Sequence, residues 1–455
     1  MLLLLLSLFP IRYLSVDIAG VDLSAFRILL ATLVPVTLAR VLLSERYSRA
    51  WRAVARTPTM RAVKLFVGWM IIGLILTFVL TDDGQAQMRG IAWVLSLAGT
   101  AYVFPAVLLT ELLYRRSGLR VLGAASRVWF VLVAAGLVQV GVFLLGLPVN
   151  SETIAEREIL PVSTILGFEF LRPYSLFGEP RVLGSIMIGL TLLFAFFRGQ
   201  TKLRIWQLTM LATLGILVSS ITFYVYTVLY LGYFFLGRSR QVGTWVGRAV
   251  MLAMLVGIGV LLRPVDIEEY APRLTDLYRG LEAPSGAFGS GALSYAPDLL
   301  FAPYIADLST GNLSLLEAVV GTGPGTFTAV AEEYISKEYG SDALLTYRGG
   351  YTGPIGSRVL LFTLLAESGL IGLLLFLFVF WRTFRSVGTI RMLSQGQRNM
   401  LKMMVVALFL ASAIQVTYVF VLAYIVVLYV QVVDLSRPSS LSRLAEIAPG
   451  THVPA

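Results

Sequence analysis

Long apolar runs recur along this 455-residue chain, and they restrict its fold more than any other feature. Hydrophobic residues make up 57% of the chain and charged residues only 14%, a balance that would leave a soluble protein with large exposed apolar patches. Many runs approach the roughly 20 residues that a helix needs to cross a bilayer. Helices satisfy all their backbone polar groups internally, so they are the expected spanning structure. The sequence therefore predicts an all-α polytopic membrane protein.

Twelve transmembrane helices are predicted from these runs. They fall at about Met1–Leu14, Ser24–Leu43, Val63–Leu80, Gly90–Leu112, Gly123–Leu147, Val182–Phe197, Ile205–Ser219, Ile221–Leu236, Ala249–Leu262, Gly356–Trp381, Leu401–Gln415 and Tyr418–Val433. Alternate loops, with the C-terminal tail, hold 23 of the 36 Lys and Arg residues, and most acids fall in the other loops. Because cytoplasmic loops carry the basic excess, both termini are predicted to be cytoplasmic.

The predicted spans divide the chain into six parts. These are helices one to five (1–147), a first external loop (148–181), helices six to nine (182–262), a large external loop (263–355), helices ten to twelve (356–434) and a cytoplasmic tail (435–455). The large loop is longer than an idle connection is expected to be. Within it, Leu315–Val320 and Phe327–Tyr339 are helix-like and the Gly/Pro-rich Gly321–Gly325 lies between them.

Several kinds of chemistry are excluded by composition. Cysteine is absent, and the single histidine, His452, lies close to the end of the chain. Disulfides, thiolate chemistry and a histidine-based metal site are therefore not expected. The sequence contains no carboxylate cluster that demands a metal, so no metal or other cofactor is predicted. The net charge of +10 follows the loop topology, and no nucleic-acid partner is expected.

Arginines of the external loops are the candidates for binding a phosphate or pyrophosphate, because the planar guanidinium fork matches these groups. Arg172 precedes a proline in the first loop, and Arg273 and Arg358 belong to the large loop and the start of the next helix. Arg181 is a further candidate, although it equally fits an interfacial residue paired with Glu179. The mixed charges of the large loop also fit a solvated surface.

Two further groups of residues stand out in and after the large loop. Gly321, Gly323 and Gly325 lie in GTGPGTF, which lacks the Gly-Lys-Ser/Thr of a Walker loop and most simply indicates a tight turn before a helix. That helix would carry Glu332 and Glu333, which are candidates to orient or deprotonate a substrate hydroxyl. The apolar helix after the loop contains an acid, Glu367, which is expected to face the bundle interior.

Three segments in this order, FLRPYSLFGEPRVLG, VVGTGPGTF and LLAESGLIGLLLFLFVFW, resemble the O-antigen ligase and polymerase superfamily. The resemblance covers about residues 168–385. Residue by residue, Arg172 corresponds to the family's arginine before a Gly-Phe-x-x-Pro turn, and Pro180 to the proline of that turn. The glycines match its Gly-x-Gly-x-x-x-Phe segment, and Glu367 with Gly369 matches its Glu-x-Gly. Arg181 stands where many members have asparagine.

The resemblance implies a GT-C-like, inverting, metal-independent glycosyltransferase of the bacterial inner membrane, with its active site on the external, periplasmic face. It would join undecaprenyl-pyrophosphate-linked repeat units, so a lipid-linked donor and acceptor, membrane lipids, a flippase and a chain-length regulator are the expected partners. Ligases carry a histidine in the loop before the Glu-x-Gly helix, where this chain has residues 347–352 without histidine, which favours a polymerase. The alternatives are a ligase acting on a lipid A core or another acceptor, a flippase or transporter, and a peptidoglycan glycosyltransferase of the shape-elongation type.

Overall fold

The computed structural model of the chain describes a large part of its N-terminal half and the region around the predicted re-entry of the chain into the membrane. The described ranges are 15–18, 21–24, 35–115, 118–147, 162–165, 168–171, 300–339 and 360–390, with single positions at 183, 341 and between 393 and 431. The predicted first span and the predicted spans between 184 and 262 lie outside these residues.

The described residues are predominantly helical. The helices are α1 (35–43), α2 (Glu45–Ala55), α3 (Pro58–Leu80), α4 (Gly84–Leu97), a π-helical turn (Ala98–Val103), α5 (Phe104–Arg115), α6 (Gly118–Leu144), α7 (Phe301–Thr310), α8 (Leu315–Val320), α9 (Phe327–Tyr339) and α10 (Leu360–Thr389). Four short strands form two antiparallel hairpins, β1–β2 (Ser15–Ile18, Val21–Ser24) and β3–β4 (Val162–Ile165, Phe168–Leu171). Both hairpins fall in predicted external connections, for which the sequence predicted no strands.

Two of the described helices are long and apolar enough to cross a membrane, over Pro58–Val79 of α3 and over α10. They coincide with the predicted spans Val63–Leu80 and Gly356–Trp381. The two helices pack together in antiparallel directions: the rings of Phe66 and Phe376 are 5.7 Å apart, and the indole of Trp69 donates to the carbonyl of Ser368 at 3.1 Å. An antiparallel pair is also what the loop charges require of these two spans.

The predicted span Gly90–Leu112 is helical, but a π-helical turn that the sequence did not predict interrupts its α-helix. A π-helical turn separates α4 from α5, and the Phe104 amide donates to the carbonyl of Gly99. Pro105, which comes directly after it, has no N–H to continue the regular ladder. The extra residue of the turn thus comes directly before this proline, as a single-turn π-bulge within a longer helix.

Contacts at one end of the bundle join elements that the loop charges assign to the cytoplasm. The phenol of Tyr47 in α2 donates to Glu111 of α5 at 3.3 Å, and its ring lies 5.4 Å from that of Tyr114. The amide of Gln431 donates to Thr59 at 2.8 Å and to Ser386 at 2.6 Å. The first turn of α3, the end of α10 and the C-terminal region therefore meet at this end.

Helix packing at the other end depends on a glycine that has no room for a side chain. A Cβ atom at Gly90 of α4 would overlap the carbonyl oxygen of Pro324, whereas one at Gly68 of α3 would meet nothing within 4 Å.

We expect Gly90→Ala to lower the free energy of unfolding by about 1–3 kcal/mol, because the added methyl group overpacks a backbone contact. Gly68→Ala should be neutral or should stabilise the helix by up to about 1 kcal/mol, since alanine is the better helix former. Thermal unfolding of the purified protein in one detergent measures both. Equal melting temperatures for the two variants would contradict the packing described at Gly90.

Candidate functional site

The segment Gly321–Phe327, termed the glycine segment, connects α8 to α9. Local sequence sets its beginning: Ser314 and Glu317 form a reciprocal capping box that starts α8, and Gly321 ends that helix with φ 86°. The prediction of a turn between the two helices Leu315–Val320 and Phe327–Tyr339 is confirmed at the predicted bounds. The turn is not a free surface loop, however, because it is held between α3, α4 and α10.

Glu367 of α10 holds the glycine segment through its side chain and its backbone. Its Oε1 accepts hydrogen bonds from the backbone amides of Gly325 at 2.9 Å and Phe327 at 3.2 Å. Its carbonyl oxygen accepts from the amide of Gly323 at 2.8 Å, and the neighbouring carbonyl of Ala366 accepts from Thr322 at 3.0 Å. Four backbone amides of the segment are thereby satisfied by two consecutive residues of one helix.

A break in α10 makes these carbonyls available. Gly369 has φ 63° and ψ −170°, a conformation that is not helical and that L-residues with a side chain rarely adopt. The predicted span Gly356–Trp381 is matched by α10, but the break was not predicted: α10 consists of two helical parts joined at Gly369. Three successive carbonyls before the break accept hydrogen bonds from outside the helix, from Thr322, Gly323 and Trp69.

We call the parts of α3, α4 and α10 that surround the glycine segment its seat. Helices α3 and α4 contribute the ends at which they face each other. The hydroxyl of Thr77 donates to the carbonyl of Pro324 at 3.3 Å, and the ring of Pro324 lies against Gly73. Gly325 lies against the backbone of Ala86 and Gly90. These residues are several positions from the α3–α4 turn, so the segment inserts about 10 Å into this end of the bundle at 1.5 Å per residue. Loop charges assign this end to the external side.

Glu367 is buried, as its position in an apolar helix predicts. It is 4% exposed, and within the described part of the chain its Oε2 has no hydrogen-bond partner. The two backbone N–H donors on Oε1 are the interactions that offset its burial. Its geometry is that of an internal acceptor that fixes a loop, not of a group presented to solvent.

Helix α9 leaves the glycine segment and presents one face to α10 and α7. Its buried apolar residues recur at helical spacing, and the aromatic ones pack against Phe362 of α10 and Tyr304 of α7. These apolar residues are Phe327, Val330, Ala331, Tyr334 and Ile335. Glu333 lies on the exposed face, and Glu332 is half-buried. Both candidate acids therefore belong to a helix whose first turn is fixed by Glu367.

A second polar cluster joins α7 to α9 and was not predicted from the sequence. Asp307 accepts hydrogen bonds from Asn312 at 3.0 Å, from Lys337 at 2.6 Å and from the phenol of Tyr334 at 2.8 Å. These hydrogen bonds, that of Asn312 foremost, lower the pKa of Asp307 to about 2. Burial, together with the hydrogen bond to Asp307, raises the pKa of the Tyr334 phenol above its ordinary value. The carboxylate of Asp307 is therefore ionised near neutral pH, and its hydrogen bonds tie α7 to α9.

The described residues bring together only some of the predicted site. Gly321, Gly323, Gly325 and Glu367 form one connected unit, and Glu332 and Glu333 come after it on α9. The candidates Arg172, Glu179, Arg181, Arg273 and Arg358 lie outside the described residues, although Arg172 comes directly after β4 in the sequence. Nowhere in the described ranges do three or more Asp, Glu or His side chains gather where they could hold a metal ion.

Residues of α3 that complete the seat were not predicted from the sequence. Thr77 and Trp69 lie in an apolar helix, and a polar donor in such a helix commonly marks a contact to another element. That signal was present in the sequence, but it does not name the partner. The partners lie 247 and 299 positions away.

We expect Glu367→Ala to destabilise the protein by about 1–3 kcal/mol for each of the two backbone amides that lose their acceptor. Glu367→Gln keeps an oxygen for those amides and should retain most of the stability. Unfolding in detergent, together with hydrogen exchange at Gly325 and Phe327, measures the difference. Equal exchange protection in the alanine variant and the wild type would contradict the role of Glu367 as the acceptor for these two amides.

The Asp307 cluster gives a pH dependence of defined sign. Because the pKa of Asp307 is lowered to about 2 from about 3.9 in an unfolded chain, its stabilising contribution is complete above about pH 4 and is lost as the pH falls towards about 2. We expect the protection of α9 amides, measured relative to their intrinsic exchange rates, to fall over this window in the wild type more than in Asp307→Asn, which does not titrate. The same acid dependence in both proteins would show that other groups control α9.

Comparison with known proteins does not place the chain in a family. No family model matches it, and no curated protein matches it. Any functional proposal therefore rests on the residues and contacts of the chain itself.

Proposed function

We propose that this chain is a membrane glycosyltransferase that polymerises polyprenyl-pyrophosphate-linked oligosaccharide repeat units, as in the synthesis of O-antigen or an exopolysaccharide. The reaction would take place at the external face of the bacterial inner membrane. The observation that carries the proposal is the seated glycine segment: part of a long polar loop is locked into the end of an apolar helix bundle by Glu367.

A seat of this kind suits catalysis on a lipid-linked substrate. The reacting sugars of such substrates lie just outside the membrane, while their lipid chains lie within it. Catalytic side chains must be held to within about 0.5 Å, which a mobile loop does not achieve. Helix α9 begins at Phe327, whose amide donates to Glu367, and it packs on α10 through Phe327 and on α7 through Tyr334. It is therefore a rigid carrier for Glu332 and Glu333.

The proposed reaction is a single displacement at the anomeric carbon of the donor. The acceptor hydroxyl oxygen forms the new bond to this carbon, and the bond from the carbon to the pyrophosphate oxygen breaks with inversion. The pyrophosphate leaves with the electron pair, and the hydroxyl proton passes to Glu332 or Glu333. Arg172, with Arg273 or Arg358, would neutralise the departing charge, so that arginines take the part that a metal takes in other transferases.

The remaining candidates have supporting parts in this proposal. Arg181 is placed at the outer mouth of the predicted sixth span as a second pyrophosphate contact, with Glu179 shaping the turn beside it. Donor and acceptor are both lipid-linked, and the polymer's growth makes a flippase and a chain-length regulator natural partners. The proposed reaction needs no cofactor.

The test is reconstitution of the purified protein with lipid-linked repeat units. A ladder of products that differ by one repeat unit supports a polymerase. A single transfer to a lipid A core without a ladder would identify a ligase, movement of the lipid across the bilayer without a new glycosidic bond would identify a flippase, and no turnover of any of these substrates would refute the proposal.

We expect Arg172→Ala to slow chain growth roughly ten- to a hundredfold, because a charge-assisted contact contributes about 1.5–3 kcal/mol. Arg172→Lys should recover little of this, since an ammonium group keeps the charge but not the bidentate fork. Arg89→Ala is the matched control: Arg89 lies near the same predicted face, and its guanidinium contacts only the nearby Gln85 at 2.8 Å among the contacts of the described residues. The measurement is the rate of ladder formation by each variant at equal protein amounts. An unchanged rate in Arg172→Ala would remove this residue from the site.

A further inference from the structure

The exposed side of α2 carries a basic stripe. Arg49, Arg52 and Arg56 are three and four residues apart, so they follow one side of the helix, and all three are exposed. The opposite side carries Tyr47 and Val54, which are buried where α2 packs on α5. The stripe is therefore the surface that remains once this amphipathic helix has docked.

Among the residues that the structure describes, acidic side chains do little to neutralise the stripe. Residues 44–64 contain six basic residues and one acid, Glu45. Glu45 lies 3.9 Å from Arg49, and both side chains are largely in solvent, at 82% and 68% exposure. An exposed pair of this kind is held weakly. The nearby Glu111 is already engaged by Arg40 and Tyr47 on the packed side of α2.

The helices before and after α2 in the chain carry exposed leucines. Leu42 and Leu43, at the end of α1, are 84% and 87% exposed, and they come directly before the cap of α2. On the other side α3 starts at Pro58, two residues after Arg56, and its Leu65 is exposed. A row of guanidinium groups on a helix flanked in the chain by exposed leucines matches the boundary between phosphates and acyl chains of a bilayer.

We propose that the stripe of Arg49, Arg52 and Arg56 binds the phosphate headgroups of anionic phospholipids at the cytoplasmic surface of the membrane. The guanidinium fork suits a phosphate diester, and each basic residue near an anionic leaflet contributes about fivefold to the affinity. A soluble anion would not explain the exposed leucines of the flanking helices, so the proposal commits to lipid. It is independent of the glycosyltransferase proposal and does not involve the glycine segment.

The experiment compares two triple variants of the full-length protein in a neutral detergent. The first is Arg49→Gln with Arg52→Gln and Arg56→Gln. The control, Arg382→Gln with Arg385→Gln and Lys402→Gln, removes the same charge from the same predicted side; two of its residues stack on rings within their own region, Arg385 on Trp381 and Lys402 on Phe384. Phosphatidylglycerol and phosphatidylcholine are added in turn, and native mass spectrometry counts bound lipid while thermal unfolding measures the shift in melting temperature.

We expect phosphatidylglycerol to bind and stabilise the wild type and the control more than phosphatidylcholine does. The stripe variant should bind phosphatidylglycerol on the order of a hundredfold more weakly. An equal loss in both triple variants would show that net charge alone acts, and would overturn the proposal. Equal stabilisation by inorganic phosphate would do the same, since it would identify a soluble-anion site; a stripe variant that still unfolds cooperatively and still binds phosphatidylglycerol like the wild type would also refute it.

Discussion

The hydrogen bonds from Gly325 and Phe327 to the buried carboxylate of Glu367 are the interaction on which the described part of the molecule depends. An apolar bundle does not readily accept a polar loop, because each unpaired backbone amide inside it costs free energy. Glu367 removes that cost by offering its side-chain oxygen and its own carbonyl to the loop. The break at Gly369 adds the neighbouring carbonyls as further acceptors. One acid and one glycine thus turn the first part of an apolar helix, long enough to cross a membrane, into a docking site for the loop.

The glycines of the segment are a consequence of this arrangement. At Gly321 a Cβ atom would overlap the backbone of Glu367, and at Gly325 it would overlap the backbone of Ala86 and Gly90. Close approach of backbones, rather than the flexibility of the turn, is therefore what the sequence GTGPGTF provides. The rigidity passes on to α9, whose aromatic residues pack on Phe362 of α10. The described part of the proposed catalytic loop, residues 300–339, is therefore held against the helices by specific contacts.

The two ends of the bundle are specialised in different ways. At one end the glycine segment lies between α3, α4 and α10. The other end, where the basic stripe of α2 lies, is held together by polar contacts. Gln431 donates to Ser386 there, and Tyr47 donates to Glu111. This separation places the proposed transferase chemistry and the proposed anionic-lipid contact on opposite faces, so that each can be tested without disturbing the other.

The sequence by itself determined the helical class, the long apolar helices α3 and α10, the bounds of α8 and α9, and the burial of Glu367, because hydrophobic runs, capping residues and glycines act locally. Which groups meet was decided by the tertiary structure. Nothing local in Thr77 or Trp69 indicates that their partners are Pro324 and Ser368, and the break at Gly369 has a cause only once the glycine segment lies beside it. Contacts between residues so far apart in the chain depend on how the helices pack, and local sequence patterns do not specify that packing.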